Sequence, residues 1–98
     1  MTNASVIDVV IFDALREVNE QLLLKKTITE SRETPIFGDD GLLDSLGLVN
    51  LVSLLEQRIE EQWEKSIALV SEEALSSNES PFRTVGSLSD YIGRRLAA

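Results

Sequence analysis

The chain contains no cysteine and no histidine. Those two absences exclude disulfides, thiolate nucleophiles, Cys or His metal ligands and the commonest general base. Aromatic residues are scarce, with three Phe, one Tyr and one Trp, so the core has to be built from Leu, Val and Ile. Positive charge is also short: nine Lys and Arg stand against 17 Asp and Glu, for a net charge of −8 and a pI near 4.4. Nucleic acid is a poor partner for such a surface, because phosphate binding needs clustered cations to displace counterions. Basic protein partners fit better, although an acidic surface also serves plain solubility. No transmembrane span is indicated. Met1-Thr2-Asn3-Ala4-Ser5 lacks a basic segment leading into a signal-type apolar core, and with the missing cysteines this places the expected location in the cytoplasm.

What is present is aliphatic periodicity. The 98 residues are one domain's worth, expected as a single domain over 1–98. From about Ser5 to Lys25, the residues Ile7, Val10, Ile11, Ala14, Leu15, Val18 and Leu22 recur at three- and four-residue spacings, which predicts an amphipathic helix. Asn3 or Ser5 is the candidate cap, and Lys25-Lys26 would sit at the favourable C-terminal end of its dipole. Between Thr27 and Leu43 the pattern lapses around Pro35, Gly38 and Gly41, giving a long loop with Ile36, Phe37, Leu42 and Leu43 as apolar anchors. A second helix is predicted from Ser45 or Leu46 to about Trp63, with Leu48, Leu51, Val52, Leu55 and Ile59 as its core stripe. Leu46, Val49, Asn50, Ser53, Glu56 and Glu60 then fall toward another face. A short third helix capped by Ser71, with Glu72 and Glu73 in its first turn, is one reading of the next stretch. A further short turn of helix at Ser80 to Arg83 is another reading, with Pro81 suited to a first helical position. The last helix starts near Thr84 and carries Val85, Leu88, Tyr91, Ile92 and Leu96, with Arg94 and Arg95 as stabilising charges in its closing turn. The expected class is all-α.

Few chemistries survive these residue types. A hydrolytic serine would need an unusual Lys or carboxylate base, and no such pairing is legible. Asp39-Asp40 and Glu60-Glu61 read as solvated charges rather than as acid–base or cation sites. Ser45 stands apart, since a helix start offers a covalently attached phosphodiester free backbone N–H donors and the positive end of the dipole. Asp44 or Ser45 as a plain N-cap is the competing reading of the same dipeptide.

Leu43-Asp44-Ser45-Leu46 opening a helix, after an initial helix and a long loop, resembles the Asp-Ser-Leu signature of acyl carrier proteins. Phe82-Arg83-Thr84-Val85-Gly86-Ser87-Leu88-Ser89-Asp90-Tyr91-Ile92 is similar to that family's closing helix. The resemblance implies a four-helix bundle with three main helices, one short third helix and a long loop between helices 1 and 2. It implies a monomeric, non-catalytic carrier with 4′-phosphopantetheine attached at Ser45 by a phosphopantetheinyl transferase. The arm derives from coenzyme A, and its thiol holds an acyl or aminoacyl thioester. A loading ligase and downstream acyl-processing enzymes are the implied partners, and the resemblance implies shelter for an apolar cargo chain between helices. Asp44, Leu46, Val49, Ser53 and Glu56 are the implied partner-binding residues.

The chain departs from the family where fatty-acid carriers commonly place acidic residues soon after Asp-Ser-Leu. Gly47 and Asn50 stand there instead, and Gly47 is the position where a choice of partner would be encoded. The departure favours a specialised stand-alone carrier, for secondary metabolism, an aminoacyl group or a dedicated lipid. The alternative function is an unmodified acidic helical adaptor that binds a basic protein partner.

Overall fold

Apolar residues spaced three and four apart bury one stripe per helix, and the computed structural model of the protein contains three long helices built that way. They are α1 (Asn3–Gln21), α2 (Ser45–Trp63) and α3 (Val85–Ala97). The structure describes residues 3–38, 41–69 and 81–97, with Asn3, Ala4, Ser5 and Ser45 described in their backbone alone. Among these residues there is no strand, only isolated bridges pairing Pro35 with Thr84 and Phe37 with Leu43. The radius of gyration is 12.4 Å, close to the ~13 Å of a compact chain of 100 residues. No described helix is long and apolar enough to cross a membrane.

Most of the predicted stripe residues form the observed core, while Val10, Leu22, Tyr91 and Leu96 pack partly buried against it. Ile7, Ile11, Ala14, Leu15 and Val18 of α1 are buried, as are Leu48, Leu51, Val52, Leu55 and Ile59 of α2 and Val85, Leu88 and Ile92 of α3. The helix α1 lies against both α2 and α3. Neighbours on two sides account for Phe12, which is buried although it falls off the predicted stripe.

Prediction and structure differ at the end of α1, which stops at Gln21 rather than Lys25. Leu23 adopts φ 53°, donates its N–H to Glu20 O at 3.2 Å, and is followed by Leu24 N–H on Asn19 O at 3.0 Å. This is a Schellman closure with leucine in the place glycine usually takes. Lys25 therefore lies in the loop, itself at φ 54°, and contributes nothing to the last turn of α1. Lys26 is clasped by Asn19, whose amide donates to Lys26 O at 2.8 Å and accepts Lys26 N–H at 3.1 Å.

The loop is pinned as its apolar anchors require. Ile36 is fully buried and Leu43 nearly so, while Phe37 and Leu42 pack partly buried against the core. Its backbone is tied to the start of α3 by Ile36 N–H on Arg83 O (2.7 Å), Val85 N–H on Thr34 O (3.0 Å) and Gly86 N–H on Arg32 O (2.7 Å). The Arg32 guanidinium adds Gly86 O (3.1 Å), Asp90 (2.7 Å) and Asp8 (3.6 Å). The hydrogen bond that Arg32 donates to Asp90 is the first cause raising its pKa above the ordinary value, with the Asp90 and Asp8 charges adding to it.

After Glu64, an αL residue whose N–H closes α2 on Glu60 O, the chain runs extended and buries Ile67 and Leu69. Arg95 donates to Ala68 O at 3.0 Å and to the Tyr91 hydroxyl at 3.0 Å, and Lys65 donates to Leu96 O at 2.7 Å. Arg95 is thus a tether as well as a charge at the helix end. The expected short helix at Ser71 to Glu73 lies outside the described residues, and Pro81-Phe82 form a turn rather than a helix. Thr84 caps α3 through its hydroxyl on Ser87 N–H (3.1 Å), and Ser87 Oγ returns the bond to Thr84 N–H (3.1 Å).

Two glycines make opposite stability tests. A Cβ on Gly41 would lie 2.6 Å from Phe37 Cα and 2.8 Å from Ile36 O, backbone atoms that cannot step aside. A Cβ on Gly93, inside α3, would meet only Ile7 Cδ1 at an ordinary 3.7 Å. Gly41→Ala is expected to cost about 1–3 kcal/mol, and Gly93→Ala to add about 0.5–1 kcal/mol. Urea unfolding midpoints check both.

Candidate functional site

The geometry around Ser45 is set from the loop side. Leu43 N–H donates to Ile36 O at 2.9 Å, which aligns the last loop residues alongside Ile36 and Phe37. Lys26 Nζ holds Leu42 O at 2.9 Å. Asp44 is then extended (φ −87°, ψ −171°), and its carboxylate accepts Gly47 N–H at 2.9 Å while its carbonyl accepts Leu48 N–H at 2.9 Å. The N-cap of α2 is therefore Asp44. Ser45 is the first helical residue; its side chain lies outside the described residues.

Gly47 is buried rather than presented to solvent. A Cβ there would come within 3.1 Å of both Cβ and Cδ2 of Leu43 and 3.5 Å of Asp44 Oδ1. Its small size therefore serves the junction between loop and helix. That reading differs from the one suggested by its position in the motif, where it looked like an outward-facing determinant of partner choice.

The outward face of α2 beside Ser45 is apolar and neutral. Leu46 is 64% exposed and Val49 62% exposed, and Ser53 is exposed one turn further on. Asn50, half-buried, turns its amide back onto Leu46 O at 3.0 Å. No ionisable residue occurs from Ser45 to Leu55. Glu56, grouped with this face by the sequence, instead accepts Leu69 N–H at 2.8 Å and so ties down the segment after α2. The expected partner residues thus divide: Leu46, Val49 and Ser53 point out together, Asp44 caps the helix, and Glu56 is engaged inward. Lys26 escaped sequence reasoning as a residue of this region, since its role depends on a turn that the absence of glycine concealed.

Beside Leu43 lies a small apolar recess lined by Leu15, Leu24, Ile28, Leu42 and Leu43 together with Asn19 and Lys26, with a cavity volume of about 10 Å³. That is room for roughly one water molecule and far less than an acyl chain requires. Among the described residues no group of three or more Asp or Glu is arranged to hold a metal ion. Asp39-Asp40 lie outside the described residues, and Glu60-Glu61 are exposed on α2. No protein-family model, curated protein or solved structure matches the chain.

Two carboxylates here hold backbone N–H groups, which makes them separable by isosteric substitution. Asp44→Ala is expected to lose about 1 kcal/mol and Asp44→Asn a few tenths, because Asn still accepts from Gly47. Glu56→Ala leaves the N–H of buried Leu69 unpaired and is expected to cost about 1–3 kcal/mol, with Glu56→Gln recovering most of it. Chemical denaturation reads the stabilities, and amide exchange at Leu69 reads the second effect at its source.

Proposed function

We propose that the chain is a carrier protein of the acyl-carrier type, modified on Ser45 with 4′-phosphopantetheine and acting as a cytoplasmic monomer. The observation that carries the reading is the junction itself. Ser45 opens a long helix immediately after a capping Asp44, at the end of a loop pinned from both sides, with exposed Leu46 and Val49 beside it. The fold that goes with it is a carrier-type four-helix bundle whose three main helices are α1, α2 and α3.

The surroundings fit such a group. The start of α2 carries the positive end of a 19-residue helix, favourable for a phosphodiester. Asp44 satisfies Gly47 N–H and fixes the first turn, so the serine backbone is held in register for a transferase. The arm would supply the thiol that the cysteine-free chain lacks, and with it thioester chemistry for an acyl or aminoacyl group. The chain itself orients and presents; a loading ligase and acyl-processing enzymes perform the reactions. The neutral face beside Ser45 supports a specialised stand-alone carrier over a general fatty-acid carrier. The adaptor reading, an unmodified protein that binds a basic partner, rests on net charge and leaves the pinned loop without a purpose.

Incubation of the purified chain with coenzyme A and a broad-specificity phosphopantetheinyl transferase, followed by intact-mass measurement, is expected to show the gain of one phosphopantetheinyl group. Ser45→Ala should abolish the gain with helical content unchanged. A folded wild-type sample that gains no mass would sink the carrier reading.

A further inference from the structure

We infer that Lys26 is a positioning residue for the modification of Ser45, its ammonium fixing the peptide that delivers the serine to the start of α2. The inference rests on the carrier reading and gives a loop residue, distant from Ser45 in sequence, a part in the transfer step.

The footing of the lysine comes first. Leu23 and Lys25, both in the left-handed region, turn the chain back after α1, and Asn19 of α1 then engages both polar backbone groups of Lys26, the carbonyl at 2.8 Å and the N–H at 3.1 Å. A loop residue thus stands on a helix. From there the ammonium donates to Leu42 O at 2.9 Å, while Leu43 N–H, on the opposite side of the same peptide unit, donates to Ile36 O at 2.9 Å. A planar trans peptide held at both its oxygen and its N–H resists rotation about the chain axis. Asp44 follows it in extended conformation and Ser45 opens the helix, so the plane of this peptide sets the direction from which the serine enters α2. Ile36 ties that plane to the loop, and Lys26 ties it to α1. The neighbouring bond from Leu42 N–H to Pro35 O is a long 3.4 Å and replaces neither. Lys26 is itself exposed, so its substitution removes a restraint and little core packing.

Lys65 supplies a matched comparison. It too is exposed and donates its ammonium to a main-chain oxygen, Leu96 O at 2.7 Å, but it follows the far end of α2, roughly 28 Å of helix from Ser45. Initial rates of phosphopantetheinylation by one transferase at saturating coenzyme A are measured for the full-length variants. Lys26→Met is expected to lower kcat about three- to tenfold with KM within about twofold, because the serine is presented out of line once bound. Lys65→Met is expected to leave both constants within about twofold, and Lys26→Arg, which still donates to Leu42 O, to restore most of the lost kcat. Circular dichroism checks that each variant folds; Lys26→Gln, shorter and neutral, replaces the methionine variant with the same expectation should that one not fold. Wild-type kcat in Lys26→Met, an equal loss in Lys65→Met, or no recovery in Lys26→Arg overturns the proposal. So does a loss confined to KM, which would make Lys26 a contact for the transferase. Each of these leaves the carrier reading intact, whereas a folded wild type that accepts no arm overturns both.

Discussion

A chain that leaves α1 at Gln21 and re-enters helix at Ser45 has to satisfy its backbone and hide its apolar side chains over the whole intervening stretch, and Ile36 is where both are done at once. Its side chain is fully buried, a contribution of about 1.5–3 kcal/mol for such a residue. Its N–H is bonded to Arg83 O and its carbonyl to Leu43 N–H, so one residue links the entry to α3 with the entry to α2. Gly41 lets the chain fold back closely over that carbonyl. The position of Ser45 is inherited from this pin through Leu43 and Asp44, with Lys26 holding the adjoining Leu42 carbonyl.

The remaining ties have a consistent logic. Where helices meet, aliphatic stripes suffice; where extended chain has to lie on helices, long polar side chains reach back to main-chain carbonyls. Arg32 does this for the loop, Lys26 for Leu42, and Lys65 and Arg95 for the segment after α2. Four of the nine basic residues thereby tie extended chain to the helices while their charged groups stay at the surface. Tyr91 closes the same corner by packing edge-on against Phe82, with its ring centroid 6.4 Å away and the Arg95 guanidinium 5.8 Å over its face.

Much of the scaffold is legible in the sequence because helix stripes are local and periodic. Every residue predicted for the α2 stripe is buried, its bounds are as expected, and the apolar anchors of the loop lie on the core. The end of α1 was not legible, because the residue that takes the left-handed conformation is Leu23 and no glycine announces the stop. The fate of Glu56 was not legible either. Its helical position is periodic, but its partner is a backbone amide 13 residues away in a stretch without pattern. At the candidate site the sequence reaches the placement of Ser45 at a helix start and the exposure of Leu46 and Val49. It does not reach the division of labour between Asp44 and its neighbours, which depends on where the loop delivers Leu43.

That delivery couples two side chains and a glycine backbone into one unit. Leu43 fills the space a Cβ on Gly47 would need, and Gly47 offers the N–H that Asp44 holds. A side chain at position 47 would therefore need Leu43 to give way slightly, which a smaller residue at position 43 or a loop arriving from another direction would ease. The neutrality of that turn is a by-product of how tightly the loop is seated. A lineage of such proteins would be expected to change positions 43 and 47 together, however its partners changed.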